Sequence, residues 1–160
     1  FDSRFSTTGP MVLFEIQDRS KWNKDILYIG NKYMFDAVKT EAYSKYHYEA
    51  AIQVEYMKAD VFENTNWDKI LNWYAQLSKI DSSPIIKLNM GIVYIYKWDL
   101  DKADSILTRV KNEAFGRRKY FVLSALAKLH QETNELDKAL DCLLEAHKLA
   151  TNTAKKELIE

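Results

Sequence analysis

The side chains that could do metal or acid–base chemistry are few and scattered. They are three histidines, His47, His130 and His147, and a single cysteine, Cys142. A metal site needs several converging ligands, and Glu132, two residues after His130, faces another side of a helix. Cys142 lies among leucines, where a thiol is usually a small buried hydrophobe. We therefore expect no catalytic residue, metal or cofactor, and no enzymatic activity.

Phosphate-binding motifs are equally weak. The four glycines are isolated, so no glycine-rich loop can surround a phosphate. The one dense basic run, Arg117-Arg118-Lys119, could contact a phosphate or an acidic partner, but a solvated turn is the favoured interpretation. Lys plus Arg and Asp plus Glu number 23 each, which gives a net charge of +0. This balance weighs against broad binding to a nucleic-acid backbone, and no motif predicts a small-molecule ligand.

The most unusual polar cluster comes early in the chain and reads Gln17-Asp18-Arg19-Ser20, with Trp22 close behind. Asp18 can accept hydrogen bonds from Arg19 or from N–H groups at the start of a helix. Such a network predicts a structural clasp that ties the leading segment to the helices. The alternative is an exposed site for a partner.

The elements that position these residues are predicted to be helices. Gly is 4 and Pro is 2 in 160 residues, and so few turn-formers favour helices with short connections. Hydrophobic residues at 47% are ample for a packed core. No apolar run is long enough to cross a membrane, so we expect no membrane partner. The chain begins with Phe1 rather than Met, and we expect it to be part of a longer protein.

Apolar residues that recur every three or four positions predict seven or eight helices. Ser20 is expected to cap the first helix and Asn66 the third, while Pro84 lies in the first turn of the fourth. The first helix is expected to direct one apolar face toward the core, formed by Trp22, Ile26, Ile29, Tyr33 and Ala37. The others are predicted at Tyr43–Ala59, from Trp67 through Leu77, from Ser82 or Ser83 to Lys97, and at Leu100–Lys111, Arg118–Glu132, Leu136–Ala150 and Ala154–Ile159.

Two local features refine this pattern. The second helix is expected to bury a stripe of Tyr46, Ala50, Val54 and Met57. Its start carries Tyr46-His47, for which a polar cap or a core contact is the expected role. Gly30 and Gly91 fall inside predicted helices, where each is expected to permit close contact between helices.

A weak internal repeat organises the helices. The patterns Trp67-Asp68-Lys69-Ile70, Leu100-Asp101-Lys102-Ala103 and Leu136-Asp137-Lys138-Ala139 each open a predicted helix. Their Asp residues are 33 and then 36 positions apart, close to the tetratricopeptide period of two helices per repeat. The pattern predicts stacked antiparallel helical hairpins, brought close together by Ala103, Ala125, Ala139 and Ala146.

The order of several motifs supports a resemblance to a known family. The motifs are Gln17-Asp18-Arg19-Ser20-Lys21-Trp22, Tyr46-His47-Tyr48-Glu49-Ala50-Ala51-Ile52, Asn66-Trp67 and Ser82-Ser83-Pro84-Ile85-Ile86-Lys87-Leu88-Asn89. In this order they resemble the C-terminal helical extension of certain extracytoplasmic-function sigma factors, which are specificity subunits of bacterial RNA polymerase. The chain departs from the family pattern at Met90, Tyr56 and Ser82.

The resemblance implies a non-catalytic regulatory or protein-interaction domain that works in the cytoplasm. Its partners would be the factor's own sigma domains or core RNA polymerase, and DNA would be bound only by domains preceding this segment. We expect an irregular leading segment at 1–20 and a single helical domain at 21–160. The residues expected in motifs or interfaces are Gln17, Asp18, Arg19, Trp22, Tyr46, His47, Trp67, Ser83, Pro84 and Asn89. The alternative is a generic tetratricopeptide-like adaptor unrelated to transcription.

Overall fold

The computed structural model describes residues 14–37, 39, 43–114 and 117–157. Within these ranges every regular element is a helix and there is no strand, which confirms the all-α prediction. The long helices are α1 Lys24–Ala37, α2 Lys45–Lys58, α3 Trp67–Ile80, α4 Pro84–Tyr96, α5 Leu100–Glu113, α6 Arg117–Glu132 and α7 Leu136–Glu157. Short 3-10 turns lie at Phe14–Ile16, Arg19–Lys21 and Phe62–Asn64. Of the predicted irregular segment 1–20, residues 1–13 lie outside the described residues, and the remainder contains no α-helix.

The chain divides after Ile80 into two compact units. The first unit contains α1, α2 and α3, and α2 packs against both other helices. In the second unit α4 pairs with α5 and α6 with α7, while α6 also contacts α4 and α5. Packed helical hairpins of this kind are consistent with a tetratricopeptide-like fold. From the sequence we expect a single domain over residues 21–160. The sequence carries no sign of the division, because helical periodicity resumes directly after Ile80.

The internal repeat corresponds to real helix starts. Trp67, Leu100 and Leu136 are the first residues of α3, α5 and α7. The small or apolar residue three positions later is buried in each case: Ile70, Ala103 and Ala139. The predicted close-contact alanines, Ala103, Ala125, Ala139 and Ala146, are all buried as well. Asn66 caps α3 as predicted, because its Oδ1 accepts the Lys69 N–H at 3.0 Å.

Both hairpins of the second unit close through the same backbone turn. Trp98 and Asn134 adopt left-handed conformations, with φ of 63° and 60°. The next residue, Asp99 or Glu135, donates its N–H to the carbonyl five positions earlier, at 3.0 and 2.8 Å respectively. This turn satisfies a carbonyl that the helix end leaves open. The repeat is therefore present in the backbone of the turns as well as in the helix starts.

Two expectations for the helices were wrong. Ser20 does not cap α1, because its N–H and hydroxyl both bond to Asp18 inside a 3-10 turn. Asn23 caps α1 instead, with its Oδ1 accepting the Ile26 N–H at 3.0 Å. No break separates a seventh from an eighth helix up to Glu157, since α7 is continuous over 136–157.

The inward faces of α1 and α2 also differ from the predicted ones. Ile26, Ile29 and Tyr33 are exposed, and α1 buries none of its residues completely. On α2, Tyr46 is exposed, and the buried positions are Ala51, Ile52 and Glu55. Periodicity identifies an apolar stripe, but the neighbouring helices decide which edge of that stripe is covered.

The two helical glycines have opposite surroundings. A Cβ placed on Gly91 would lie 2.6 Å from Leu107 Cδ2 and 2.7 Å from its Cγ, so the Leu107 side chain of α5 packs directly on the backbone of α4 there. Leu107 is completely buried and has no room to yield. A Cβ on Gly30 would meet nothing within 4 Å. Close contact is thus confirmed at Gly91, and it was wrongly expected at Gly30, which borders open space.

The same substitution should therefore have opposite effects at these positions. Gly91→Ala should destabilise the protein by about 1–3 kcal/mol, because the new methyl overpacks the α4–α5 contact. Gly30→Ala should stabilise it by about 1 kcal/mol, because alanine has the higher helix propensity and meets no obstacle. Urea unfolding followed by circular dichroism measures both changes. A Gly91→Ala variant as stable as the wild-type chain would contradict the packing described.

The turn between α6 and α7 carries a polar network centred on Glu135. Its carboxylate accepts hydrogen bonds from Lys138 Nζ at 2.5 Å and Thr133 Oγ1 at 3.2 Å, and lies 2.9 Å from His130 Nδ1. The Lys138 bond, followed by that of His130, lowers the pKa of Glu135 to about 2. A carboxyl whose pKa is depressed in the folded state stabilises the fold above its unfolded pKa and loses that effect as pH falls.

Glu135→Gln should therefore destabilise the second unit at neutral pH, and the difference from wild type should shrink as pH falls below about 4.5 toward 2. Thermal unfolding between pH 7 and pH 3 measures this dependence. Glu49→Gln, a change to an exposed carboxylate on α2, serves as the control and should show no comparable trend. A difference that grows as the solution becomes more acidic would refute the network's role.

Candidate protein-interaction surface

Arg19 holds the leading segment against the end of α2. Its Nη1 donates hydrogen bonds to the carbonyls of Tyr56 and Ala59, each at 2.8 Å. These carbonyls belong to the last turn and C-cap of α2, which the helix itself leaves without partners. The guanidinium is also a positive charge at the negative end of the helix dipole. Arg19 thus caps α2 from a distant part of the sequence.

Asp18 orders the turn that presents Arg19. Its Oδ1 accepts the Ser20 N–H at 3.0 Å and the Ser20 hydroxyl at 2.6 Å, so Asp18 is the N-cap of the 3-10 turn. The hydroxyl and the backbone N–H of Ser20 lower the pKa of the Asp18 carboxyl. The prediction that Asp18 accepts from N–H groups of a first turn is confirmed, although the turn is a 3-10 turn and not α1.

Aromatic rings enclose the guanidinium of Arg19. Its Cζ lies 5.1 Å from the ring centroid of Trp22 and 5.8 Å from that of Phe62. Trp67, at the start of α3, packs edge-on against Phe62 at 5.0 Å and against Tyr56 at 5.9 Å. We call Asp18, Arg19, Trp22, Phe62 and Trp67 the Arg19 clasp. It brings together the first and third sequence motifs.

Of the two interpretations of the Gln17-Asp18-Arg19-Ser20 cluster, this geometry corresponds to the structural clasp. Arg19 is buried, with 9% of its surface exposed, and its Nη1 donates hydrogen bonds to carbonyls of the chain itself. Burial lowers the pKa of its guanidinium, while the Glu63 carboxylate opposes that change. Gln17 is half-buried beside the turn. A contact of this cluster with a partner stays a prediction.

His47 holds the other end of α2. Its Nδ1 accepts the Ser44 N–H at 3.0 Å, so the ring proton must sit on Nε2, which lies 3.2 Å from the Ala37 carbonyl. Ala37 ends α1, and Ser44 is the N-cap of α2. The predicted capping role of His47 is confirmed. Since both ring nitrogens are engaged, His47 serves to join two helix ends.

A groove runs between α1 and α2 on the side of His47. Its volume is about 280 Å³ and its small residues, Gly30, Ala37 and Ala50, leave room between two exposed tyrosines, Tyr33 and Tyr46. Met34 and His47 complete the lining. We call these residues the α1–α2 groove. It continues into the uncovered stripe of α1, where Ile26 and Tyr33 are 66% and 72% exposed.

A second, larger cavity of about 450 Å³ lies where α2 faces α3. Three aromatic side chains, Tyr43, Tyr48 and Trp73, follow one another along it, with neighbouring ring centroids 6.3 Å apart. The other lining residues are Met34, His47, Ala51, Asn72 and Gln76. We call this the aromatic cavity. A mostly apolar site of this size with a few polar groups has the character of a ligand pocket.

The remaining predicted site residues lie elsewhere. Ser83 is the N-cap of α4, Pro84 is its first residue, and Asn89 is half-buried within it. All three belong to the second unit. The predicted helix start after Ser83 is confirmed, although the Ser83 side chain makes no capping hydrogen bond. Any contact of these residues with a partner stays a prediction.

The chemically reactive groups outside these sites have structural surroundings. Cys142 is buried, and burial raises the pKa of its thiol, opposite to what a nucleophile requires. In the basic run, Lys119 pairs with Glu145 at 2.6 Å. The side chains of Arg117 and Arg118 lie outside the described residues. Within the described part of the chain no cluster of His, Cys, Asp or Glu could hold a metal ion, and no helix is long and apolar enough to cross a membrane.

Sequence reasoning missed most of the lining of the groove and the cavity. The surplus of tyrosines was a usable signal, since not all of them can be buried with bonded hydroxyls. Tyr28, Tyr33 and Tyr43 are indeed exposed. Asn72 and Gln76 gave a second signal, because they are four residues apart on one face of α3. Neither signal says which helices come together around these residues.

Arg19→Met should destabilise the protein by about 1–3 kcal/mol, because it leaves the carbonyls at the end of α2 without their donor. Arg109→Met, at an exposed position of α5, is the matched control and should change stability by no more than about 0.5 kcal/mol. Urea unfolding measures both. Equal stability of the two variants would show that the Arg19 clasp does not stabilise the fold.

The chain is similar to a distant relative among known proteins. The chain is 29% identical over 90 residues to an uncharacterized protein of Rhizobium meliloti (strain 1021). The match covers 56% of this chain and 21% of that protein, so the chain corresponds to about a fifth of the relative's length. No family model matches the chain, and no solved structure matches it.

Proposed function

We propose that this chain is a non-catalytic protein-interaction domain of a bacterial sigma factor, where it regulates transcription initiation in the cytoplasm. The observation that carries the interaction role is the uncovered apolar stripe of α1. A helix that buries none of its residues completely while exposing Ile26, Ile29 and Tyr33 has surface left for another protein. The assignment to a sigma factor rests on the order of the sequence motifs.

Several features support this proposal together. The Arg19 clasp joins two of the motifs that carry the family resemblance. Residues of both motifs therefore contribute to one structural contact in this chain. The net charge of +0 suits a domain that binds protein and leaves DNA to other domains. Tyrosines bordering the α1–α2 groove are of the residue type enriched at protein interfaces. The proposed partners are the factor's own sigma domains or core RNA polymerase.

A matched pair of tyrosines on α1 allows a direct test. Tyr33 borders the α1–α2 groove, whereas Tyr28 lies on the opposite side of the same helix with nearly the same exposure, 71% against 72%. In a binding assay with core RNA polymerase and with the sigma domains, Tyr33→Ala should weaken binding about tenfold or more. Tyr28→Ala should leave the affinity unchanged.

Two results would contradict the proposal. Equal effects of the two substitutions would show that the α1–α2 face is not part of the interface. Binding to neither partner, with promoter-dependent transcription by the full-length protein unchanged when this domain is removed, would rule out the sigma-factor role. The generic adaptor would then be the better explanation of the helical hairpins.

A further inference from the structure

The aromatic cavity has features that the exposed stripe of α1 does not explain. It is lined by Tyr43, by residues of α2 and α3 and by Met34 of α1, and it contains carboxamides as well as rings. Asn72 is exposed, and within the described residues neither its carboxamide nor the indole N–H of Trp73 has a hydrogen-bond partner. These groups offer a donor and acceptor pair and a further donor at the edge of an apolar space.

The chemistry of the lining restricts what could bind. None of the eight lining side chains carries a formal charge when His47 is neutral, and His47 already accepts a backbone N–H through Nδ1. A carboxylate or phosphate placed here would lose hydration without gaining a cationic partner. The faces of the Tyr48 and Trp73 rings are themselves electron-rich and disfavour anions. A free carboxyl terminus or a phosphorylated residue is therefore a poor ligand.

The spacing of the polar groups suits an extended backbone. Side chains four residues apart on a helix, like those of Asn72 and Gln76, have Cβ atoms about 5–6 Å apart. Peptide groups that face the same side of an extended strand repeat at about 6.6–6.8 Å. A carboxamide can donate to a peptide carbonyl and accept from a peptide N–H at once. Gln76 already accepts from Lys79 Nζ at 2.9 Å, so Asn72 is the more available of the two.

We infer that the aromatic cavity binds an internal, extended peptide segment through one aromatic side chain. The ring of that residue enters among Tyr43, Tyr48 and Trp73, and the flanking peptide groups pair with the carboxamide of Asn72 and with that of Gln76. This inference deepens the proposed protein-interaction function and rests on it. The expected ligand is a neutral segment within a chain, and neither a chain terminus nor a charged side chain is expected to bind.

The test is an NMR titration of the 15N-labelled chain with small probes. N-acetyl-L-phenylalaninamide carries one ring between two peptide groups, and it should shift the Trp73 indole and Asn72 side-chain signals saturably in the millimolar range. N-acetyl-L-phenylalanine, which ends in a carboxylate, should bind at least about fivefold more weakly. N-acetylglycinamide, without a ring, should not reach saturation.

Variants locate the site. Asn72→Ala should weaken binding of N-acetyl-L-phenylalaninamide about fivefold, the effect of one lost hydrogen bond. Asn112→Ala on the exposed side of α5 is the matched control and should have no effect. Because Asn72 is exposed and makes no hydrogen bond within the described residues, its replacement should leave the fold intact.

Some outcomes would overturn the inference. They are an absence of saturable shifts, equal binding of the amide and the acid, equal effects of the two Asn variants, or tighter binding of N-acetyl-L-argininamide, which would indicate a cation site. Tyr33 does not line this cavity. Failure of the peptide site therefore shows in the titration, whereas failure of the proposed function shows in the polymerase and sigma-domain assays.

Discussion

The end groups of α2 need partners from outside the helix, and the arrangement of the first unit depends on how they are satisfied. Arg19 donates to two carbonyls at the C-terminal end, and His47 joins the Ser44 N–H at the N-terminal end to the last carbonyl of α1. Each contact removes an unfavourable open backbone group and fixes a neighbouring segment at the same time. The α1–α2 groove and the aromatic cavity both lie beside the helix held in this way.

The two units differ in how their apolar surfaces are buried. In the second unit a buried cluster links residues of α4, α5, α6 and α7, and the Leu107 side chain packs on the α4 backbone at Gly91, while α7 still exposes Leu136 and Leu140. In the first unit α1 has α2 as its neighbour, so only one edge of its apolar stripe is covered. A hairpin stack buries each face only against the next element. The uncovered face of α1 therefore has apolar surface that no element of the first unit covers.

Much of the fold could be predicted from the sequence, and the reasons are local. Asn66 and Pro84 mark helix starts by their own chemistry, and the repeated Asp-Lys pattern marks α3, α5 and α7. The residue types around Arg19 predict a clasp. The partners of Arg19 are the carbonyls of Tyr56 and Ala59, and the sequence does not show which backbone carbonyls a side chain will reach. The covered edge of α1 and the aromatic cavity depend on which helices meet, which periodicity does not encode.

The α1–α2 face is uncovered in this chain, and we propose that a partner protein covers it. Hydrogen–deuterium exchange measures this directly, since amides in a helix with little packing open readily. We expect residues 24–37 to exchange faster than α6 in the chain alone and to become strongly protected in the complex with core RNA polymerase or the sigma domains. Unchanged exchange of residues 24–37 in a complex that forms, with protection confined to the second unit, would contradict it.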